Sequence, residues 1–306
     1  MDKIWDCVIV GGGAAGLSAA LVLGRARRET LVIDAGAQSN LAAHGVGGLL
    51  GFDGVPPAQL YAQGRQELTA YPNVEVRSGE ALTADGIAGD FAVALADGDV
   101  VRTRRVLLAM GMRYESPDLP GLRQLWGNSV FHCPFCHGWE VRDKPLAVLA
   151  NGDRAVHMAV LLRGWSDDVV LLTGGPADLT DDQRSRLTQV GVDVDERVVS
   201  ELCSVNRILD SVVFADGTSL ARSGLLVATT LHQRSALAAK LGVAFAAAGP
   251  VTAEAIEIDG MYRTSVPGVF AAGDVCAQMP QVAAAIAAGS AAAASIVMSL
   301  MEEQSV

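Results

Sequence analysis

Two thiols and two imidazoles fall within six consecutive residues, His132-Cys133-Pro134-Phe135-Cys136-His137. Cysteines three positions apart can open and close as one disulfide, and imidazoles on either side can take or give protons near neutral pH. That is the chemistry of thiol–disulfide exchange, and it needs an electron acceptor elsewhere in the chain. Rival readings use the same residues. Cys133 to His137 spells the C-x-x-C-H pattern of covalent haem attachment, His-Cys-x-x-Cys-His offers four zinc ligands, and two buried thiols without chemistry are the plainest alternative. Haem of that type is attached after export, for which no leader is seen, and Pro134 and Phe135 lend a zinc knuckle no particular support.

The elements that would position an acceptor begin at Cys7-Val8-Ile9-Val10, an apolar run that suits a buried parallel strand. It leads into Gly11-Gly12-Gly13-Ala14-Ala15-Gly16 and a helical stretch to about Arg27. Gly11, Gly13 and Gly16 occupy the G-x-G-x-x-G positions, with Ala14 and Ala15 between them. Such glycines allow the tight turn, the approach of a pyrophosphate to backbone, and close helix–strand packing. A second strand, Thr30-Leu31-Val32-Ile33, ends in Asp34, where a carboxylate would accept hydrogen bonds from an adenosine ribose. Strand, turn, helix, strand and acid in order make a dinucleotide-binding unit the expectation.

Composition narrows the class. The 306 residues suffice for two domains, and 50% apolar residues with 33 glycines suit an α/β protein. Only 5% are aromatic, so the core must be built from Ala, Val and Leu. A net charge of −11 argues against nucleic acid and anionic membranes as partners. The first strand begins by about Asp6, so cytoplasmic residence is expected, where a C-x-x-C is catalytic rather than structural. Cys7, Cys203 and Cys276 are expected to be small core residues. Gln281 to Met301 nearly reaches spanning length, but its Ala content and serines favour a closely packed helix over a membrane segment.

Farther along, short strands alternate with turns over Val74 to Val101, including turns at Ala84-Asp85-Gly86 and Ala96-Asp97-Gly98-Asp99. A strand at Arg105 to Leu108 runs into Ala109-Met110-Gly111, and another, Val269 to Ala272, into Gly273-Asp274, with Gln281 following. With the C-x-x-C, these pieces resemble the thioredoxin reductase family over essentially the whole chain; that family usually has Thr where Met110 stands. The resemblance implies an α/β fold of two nested Rossmann-like domains of the low-molecular-weight thioredoxin reductase type. Residues 1–114 and 236–306 would form the FAD domain, and residues 115–235 an inserted NAD(P)-like domain carrying the C-x-x-C. It further implies non-covalent FAD held by Gly11, Gly13, Ala14, Ala15, Gly16, Asp34, Ala109, Gly111, Gly273, Asp274 and Gln281. Cys133 would be the interchange thiol, Cys136 the thiol against the flavin, and no metal would be needed. His137, where the family usually carries Asp, is the first choice as acid and base, and His132 the second. His232 is a further candidate for lining the flavin or substrate site, and the Gly45 to Gly54 stretch a loop that could pass close to the isoalloxazine.

The inserted domain repeats the dinucleotide pattern imperfectly. A strand at Leu146 to Leu149 leads to Ala150-Asn151-Gly152-Asp153-Arg154-Ala155, a helix from about Arg154 to Arg163, and a strand at Val169 to Leu172 followed by Thr173-Gly174-Gly175. Ala150 crowds the turn, Asp153 repels a pyrophosphate, and no cation follows the second strand, although Arg154 could compensate in part. NADP(H) use is therefore expected to be weak or absent. Cys-Pro-Phe-Cys-His-Gly beside such a site is similar to the FAD-dependent dithiol oxidases of disulfide natural-product biosynthesis. That implies a small-molecule dithiol as substrate, dioxygen as acceptor and peroxide as product. A thioredoxin reductase with an unusual reductant and a low-turnover flavin-binding partner protein are the alternatives, and a homodimer is expected from the family and the Ala-rich helix.

Overall fold

The computed structural model describes residues 3–277 and 279–303. The chain opens with β1 (Ile4–Val10), α1 (Ala14–Arg25), β2 (Thr30–Asp34), α2 (Pro57–Leu68), β3 (Val74–Ser78), β4 (Ala81–Ile87), β5 (Asp90–Leu95), β6 (Val100–Leu108) and β7 (Met112–Glu115). Then come α3 (Leu122–Leu125), β8 (Val130–Phe131), α4 (Pro134–Val141), β9 (Leu146–Leu149), α5 (Gly152–Leu162), β10 (Val169–Leu172), α6 (Asp181–Gln189) and β11 (Asp193–Asp195). The rest comprises β12 (Val199–Val205), β13 (Ile208–Phe214), β14 (Ser219–Ala221), β15 (Gly224–Val227), β16 (Thr230–Gln233), α7 (Leu237–Lys240), β17 (Val269–Ala271) and α8 (Val282–Glu303).

Contacts divide the chain into one unit of Met1–Leu41, Pro56–Tyr114 and Leu231–Val306, and another of Ala42–Val55 and Glu115–Thr230. The divisions fall inside β7 and β16, the latter five residues before the junction expected from the sequence at 235/236. Ala42–Val55 groups with the C-x-x-C unit and not with the first flavin segment to which the sequence assigned it.

In the first unit the sheet runs β3-β2-β1-β6-β5-β4, with β17 also pairing β6. The strands β3, β2, β1, β6 and β17 are parallel, while β5 joins β6 and β4 joins β5 antiparallel. Ala84-Asp85-Gly86, expected as a turn, lies within β4, because Gly86 at φ +134° opposes Phe91 across the hairpin and the chain reverses two residues later. Period-2 alternation sends Cys7, Ile9, Val32 and Leu107 to one face with α1 and α8, and Val8, Val10, Leu31, Ile33, Val106 and Leu108 to the other with β4 and β5. Both faces are covered, which is why these strands read as unbroken apolar runs; each fully buried aliphatic side chain contributes about 1.5–3 kcal/mol.

The Ala-rich terminal helix has its explanation in the same unit. A Cβ on Gly289 would lie 2.0 Å from the Ala15 carbonyl oxygen, so α8 meets α1 backbone to backbone. Ser18 of α1 donates to the Ile286 carbonyl at 2.8 Å. By length and composition α8 is apolar enough to cross a membrane, yet Ala285, Ala292, Ala293, Ile296 and Leu300 are buried in this core.

The second unit repeats the layering. A parallel sheet, β11-β10-β9-β15-β8, has α5 on one face with Leu146, Val148 and Leu171. On its other face Ala147, Val170, Leu172 and Val227 meet an antiparallel β12-β13-β14 layer. These arrangements make an α/β fold with two Rossmann-like sheets.

Candidate active site

The C-x-x-C lies at the start of α4. Pro134 takes the first helical turn, where a missing N–H costs nothing, and Cys133 is the residue before it, extended at φ −130° and ψ 111°. Its carbonyl accepts from the N–H groups of Cys136 at 3.2 Å and His137 at 3.3 Å. This turn brings the two sulfur atoms to 2.7 Å, with the Cys136 thiol donating to Cys133. That hydrogen bond, the largest effect, holds the Cys133 thiol below its ordinary pKa; the N–H groups of Cys136 and Phe135 act with it, and burial opposes them. Cys133 is therefore held nearer the thiolate than an ordinary cysteine. Gly138 lets the helix lie on Trp165, whose indole a Cβ there would meet at 2.7 Å. Phe135 and Trp139 stand exposed on the same helix, and the Arg142 guanidinium lies 3.7 Å from the Trp139 ring centroid.

The two flanking histidines differ. His137 stacks on Phe131 with centroids 5.8 Å apart, and both its ring nitrogens are buried without a well-formed hydrogen bond among the described residues. Burial lowers its pKa, against the opposing pull of Glu140 and of the Gly127 and Cys133 carbonyls, so it is neutral near pH 7 and able to accept a proton. His132 stacks on Trp126 at 5.6 Å. Burial first, then the His137 and Arg154 charges, push it down to about 4, which leaves it a neutral ring through the physiological range. Its position suits packing better than proton transfer. His232 lies on β16 in the first unit and not in the unit that holds the C-x-x-C. Cys7 is buried and Cys276 is pushed up to about 12 by burial, so neither is a ready nucleophile. Among the described residues no cluster of three or more His, Cys, Asp or Glu side chains could hold a metal ion.

The Gly45 to Gly54 stretch, expected from the sequence as a loop near the isoalloxazine, lies against the redox helix. The segment Ala42–Val55 folds back on itself: Val46 donates to the Val55 carbonyl and Gly54 to the Val46 carbonyl, each at 2.9 Å, and Gly48 donates to Asp53 Oδ1 at 2.8 Å. A Cβ on Gly47 would lie 2.7 Å from the Cys136 carbonyl oxygen, and one on Gly127 would lie 2.9 Å from the Ala43 nitrogen. The run of glycines was legible in the sequence; its approach to Cys136 was not.

In the first unit, the glycine turn brings backbones close together where its spacing expects them. Gly11 has φ +111°, and a Cβ there would strike the Ala109 carbonyl oxygen at 2.3 Å; one on Gly16 would strike the Gly11 carbonyl oxygen at 1.8 Å. Helix α1, carrying Ala14, Ala15 and Gly16, starts after Gly13 with no side-chain cap, which leaves its first N–H groups for an anion. Asp34 ends β2 with Gln38 Nε2 donating to both carboxylate oxygens at 3.0 and 3.2 Å, and Arg65 at 3.7 Å. It opens on a cleft of about 610 Å³ lined also by Gly36, Tyr61 and Ser78. Ala109 and Gly111 follow β6, and Gly273 and Asp274 follow β17, which pairs beside it. Burial raises the Asp274 pKa, opposed by the Tyr114 hydroxyl, which donates at 3.1 Å, and by Arg234. Gln281 is exposed and opens α8, its carbonyl accepting from Ala285 at 2.9 Å. Backbone kept bare by glycine, an uncapped helix start and an acid beside a cleft fit a dinucleotide such as FAD.

The corresponding turn in the second unit is engaged with itself. Asn151 Oδ1 accepts from the Gly152 and Asp178 N–H groups at 2.9 and 2.8 Å, and its Nδ2 donates to the Pro176 carbonyl at 3.0 Å. Asp153, in the first turn of α5, accepts from Gln183 Nε2 at 2.5 Å. Arg154, the cation that could have compensated, donates instead to the Thr229 carbonyl at 2.6 Å. After β10, Thr173 is buried and its hydroxyl donates to the Gly175 carbonyl at 2.5 Å.

Comparison with known proteins agrees with this arrangement. Residues 5–289 match the pyridine nucleotide-disulphide oxidoreductase family. Thioredoxin reductase aclD of Aspergillus oryzae is 31% identical over 97% of this chain and 96% of its own. Among solved structures, HlmI superposes with a TM-score of 0.93 at 40% identity, covering 100% of this chain and 96% of that one. An oxidoreductase from Agrobacterium tumefaciens superposes with a TM-score of 0.92 at 36% identity, covering 98% and 99%. The chain thus belongs to the pyridine nucleotide-disulphide oxidoreductase family, as an FAD-binding disulfide oxidoreductase of the thioredoxin reductase type.

Proposed function

We propose that this enzyme oxidises a small-molecule dithiol to a cyclic disulfide with dioxygen as the final acceptor, and that it does not depend on a nicotinamide. The observation that carries this reading is the second dinucleotide turn, whose polar groups are spent on one another. Asn151 bridges the turn to the Pro176–Asp178 loop, Asp153 places a carboxylate where a pyrophosphate would bind, and Arg154 is drawn to Thr229. The thiol pair, by contrast, is set for exchange.

In the oxidised enzyme a substrate thiolate attacks Cys133, the Cys133–Cys136 bond breaks, and Cys136 leaves as a thiolate. The second substrate thiol then attacks the mixed disulfide at the substrate sulfur, which releases Cys133 and closes the product ring. Neutral His137, one residue beyond Cys136, takes the proton of an attacking thiol. Gly11, Gly13 and Gly16 would hold the pyrophosphate of FAD, Asp34 its ribose and Asp274 its ribityl side. FAD, when bound, supplies a two-electron acceptor for the reduced pair that dioxygen can reoxidise with release of peroxide. We further propose a homodimer, with part of the exposed face of α8, including Met298 and Met301, covered by the second copy.

Anaerobic flavin bleaching tests the reading. Excess NADPH and NADH should bleach slowly and a compact dithiol rapidly; under air, the dithiol should be consumed with peroxide release and no added nicotinamide. Rapid bleaching by NADPH, with thioredoxin reduced in turn, would restore the reductase reading, which the names of curated relatives such as aclD favour.

A further inference from the structure

We propose that the Ala42–Val55 segment is a strap that positions the redox pair, with Gly47 as its point of contact on Cys136. The geometry is backbone on backbone. A Cβ at Gly47 would stand 2.7 Å from the Cys136 carbonyl oxygen and 3.6 Å from its Cα, with no flexible side chain between to give way. A second point of close approach lies at Gly127, where a Cβ would meet Ala42 and Ala43. The strap is closed on itself by the Val46–Val55 and Gly54–Val46 hydrogen bonds and by Asp53, which accepts from Gly48, the residue after the contact. It therefore bears on α4 as a preformed piece.

The position of Cys136 matters because its thiol donates to Cys133 across 2.7 Å, and this hydrogen bond favours the Cys133 thiolate. A shift of the Cys136 backbone away from Cys133 withdraws its N–H, which together with its thiol favours the Cys133 thiolate, and so raises the fraction of Cys133 held as thiol. Gly47 and Asp53 are thus positioning residues for the thiol pair, acting through the Cys136 backbone. The inference rests on Cys133 being the reactive thiol, but not on the substrate or the electron acceptor.

The test uses the holoenzyme, reduced anaerobically, and follows alkylation of Cys133 by iodoacetamide against pH, with the site read by mass spectrometry. Gly47→Ala should move the pH midpoint upward and slow alkylation near pH 7 about tenfold. Asp53→Ala, which loosens the strap without a clash, should move the midpoint in the same direction. Asp53→Asn, which removes the charge but keeps an acceptor for Gly48, should restore the wild-type midpoint. If Gly47→Ala does not fold, the Asp53 pair decides alone. Wild-type midpoints in Gly47→Ala and Asp53→Ala would overturn the strap, whereas a wild type alkylated equally at both cysteines would overturn the thiol assignment beneath it.

Discussion

At the scale of residues, the chemistry rests on an asymmetry between two thiols that share one helix turn. Cys133 accepts a hydrogen bond from Cys136 and faces the N–H groups at the start of α4, and both hold its pKa below the ordinary cysteine value. On the proposed reading, contact with the flavin is a separate role that Cys136 takes once its proton has left: reduction should produce a long-wavelength thiolate-to-flavin absorbance that Cys136→Ser abolishes and Cys133→Ser keeps, and the opposite pattern would exchange the two roles. His137 is held neutral near pH 7 by burial, as a proton acceptor must be. His137→Ala should slow flavin reduction by a dithiol about 10²-fold with FAD content unchanged, and an unchanged rate would remove it from the mechanism. The identities of these residues were legible in the sequence because cysteine and histidine at that spacing have few other uses. The inequality of the histidines was not: each flanks a cysteine in sequence, and only the fold sets His132 on Trp126 near Arg154 and His137 on Phe131 near Glu140.

At the scale of elements, glycine marks where backbones meet, and the sequence shows the glycine without its partner. At Gly11 and Gly16 the partner could be inferred, since strand, turn and helix were consecutive. At Gly47, Gly127 and Gly289 it lies far along the chain, on α4, in the strap and on α1. The antiparallel β12-β13-β14 layer escaped notice for a related reason, its strands being half-exposed with mixed patterning. Gly289→Ala tests the longest of these contacts. Its Cβ would lie 2.0 Å from the Ala15 carbonyl oxygen, so α8 must move off the helix that opens the FAD cradle. Overpacking of this kind costs about 1–3 kcal/mol. A lower melting temperature together with weaker FAD retention is expected on gel filtration; loss of stability with FAD fully retained would separate α8 from the cradle.

At the scale of the whole molecule, each unit covers a parallel sheet with helices on one face and antiparallel strands on the other, and folding therefore places ionisable groups in apolar surroundings. His132 is one for which a dependence of stability on pH follows with both a sign and a size. Its pKa falls from an ordinary value near 6.5 to about 4 in the folded protein, because burial disfavours the charged ring. Between those values the unfolded chain binds a proton that the folded chain does not, so the contribution is fully present above about pH 6.5 and is lost as pH falls toward 4. Near pH 5 the loss is about 2 kcal/mol relative to pH 7.5. Carboxylates titrate in part of the same window, so the comparison must be made against a variant. His132→Phe keeps a ring to stack on Trp126 and removes the proton site. Urea unfolding of both holoproteins near pH 7.5 and near pH 5 should show the wild type losing about 2 kcal/mol more than the variant. Equal losses would mean that His132 is protonated without penalty in the folded state.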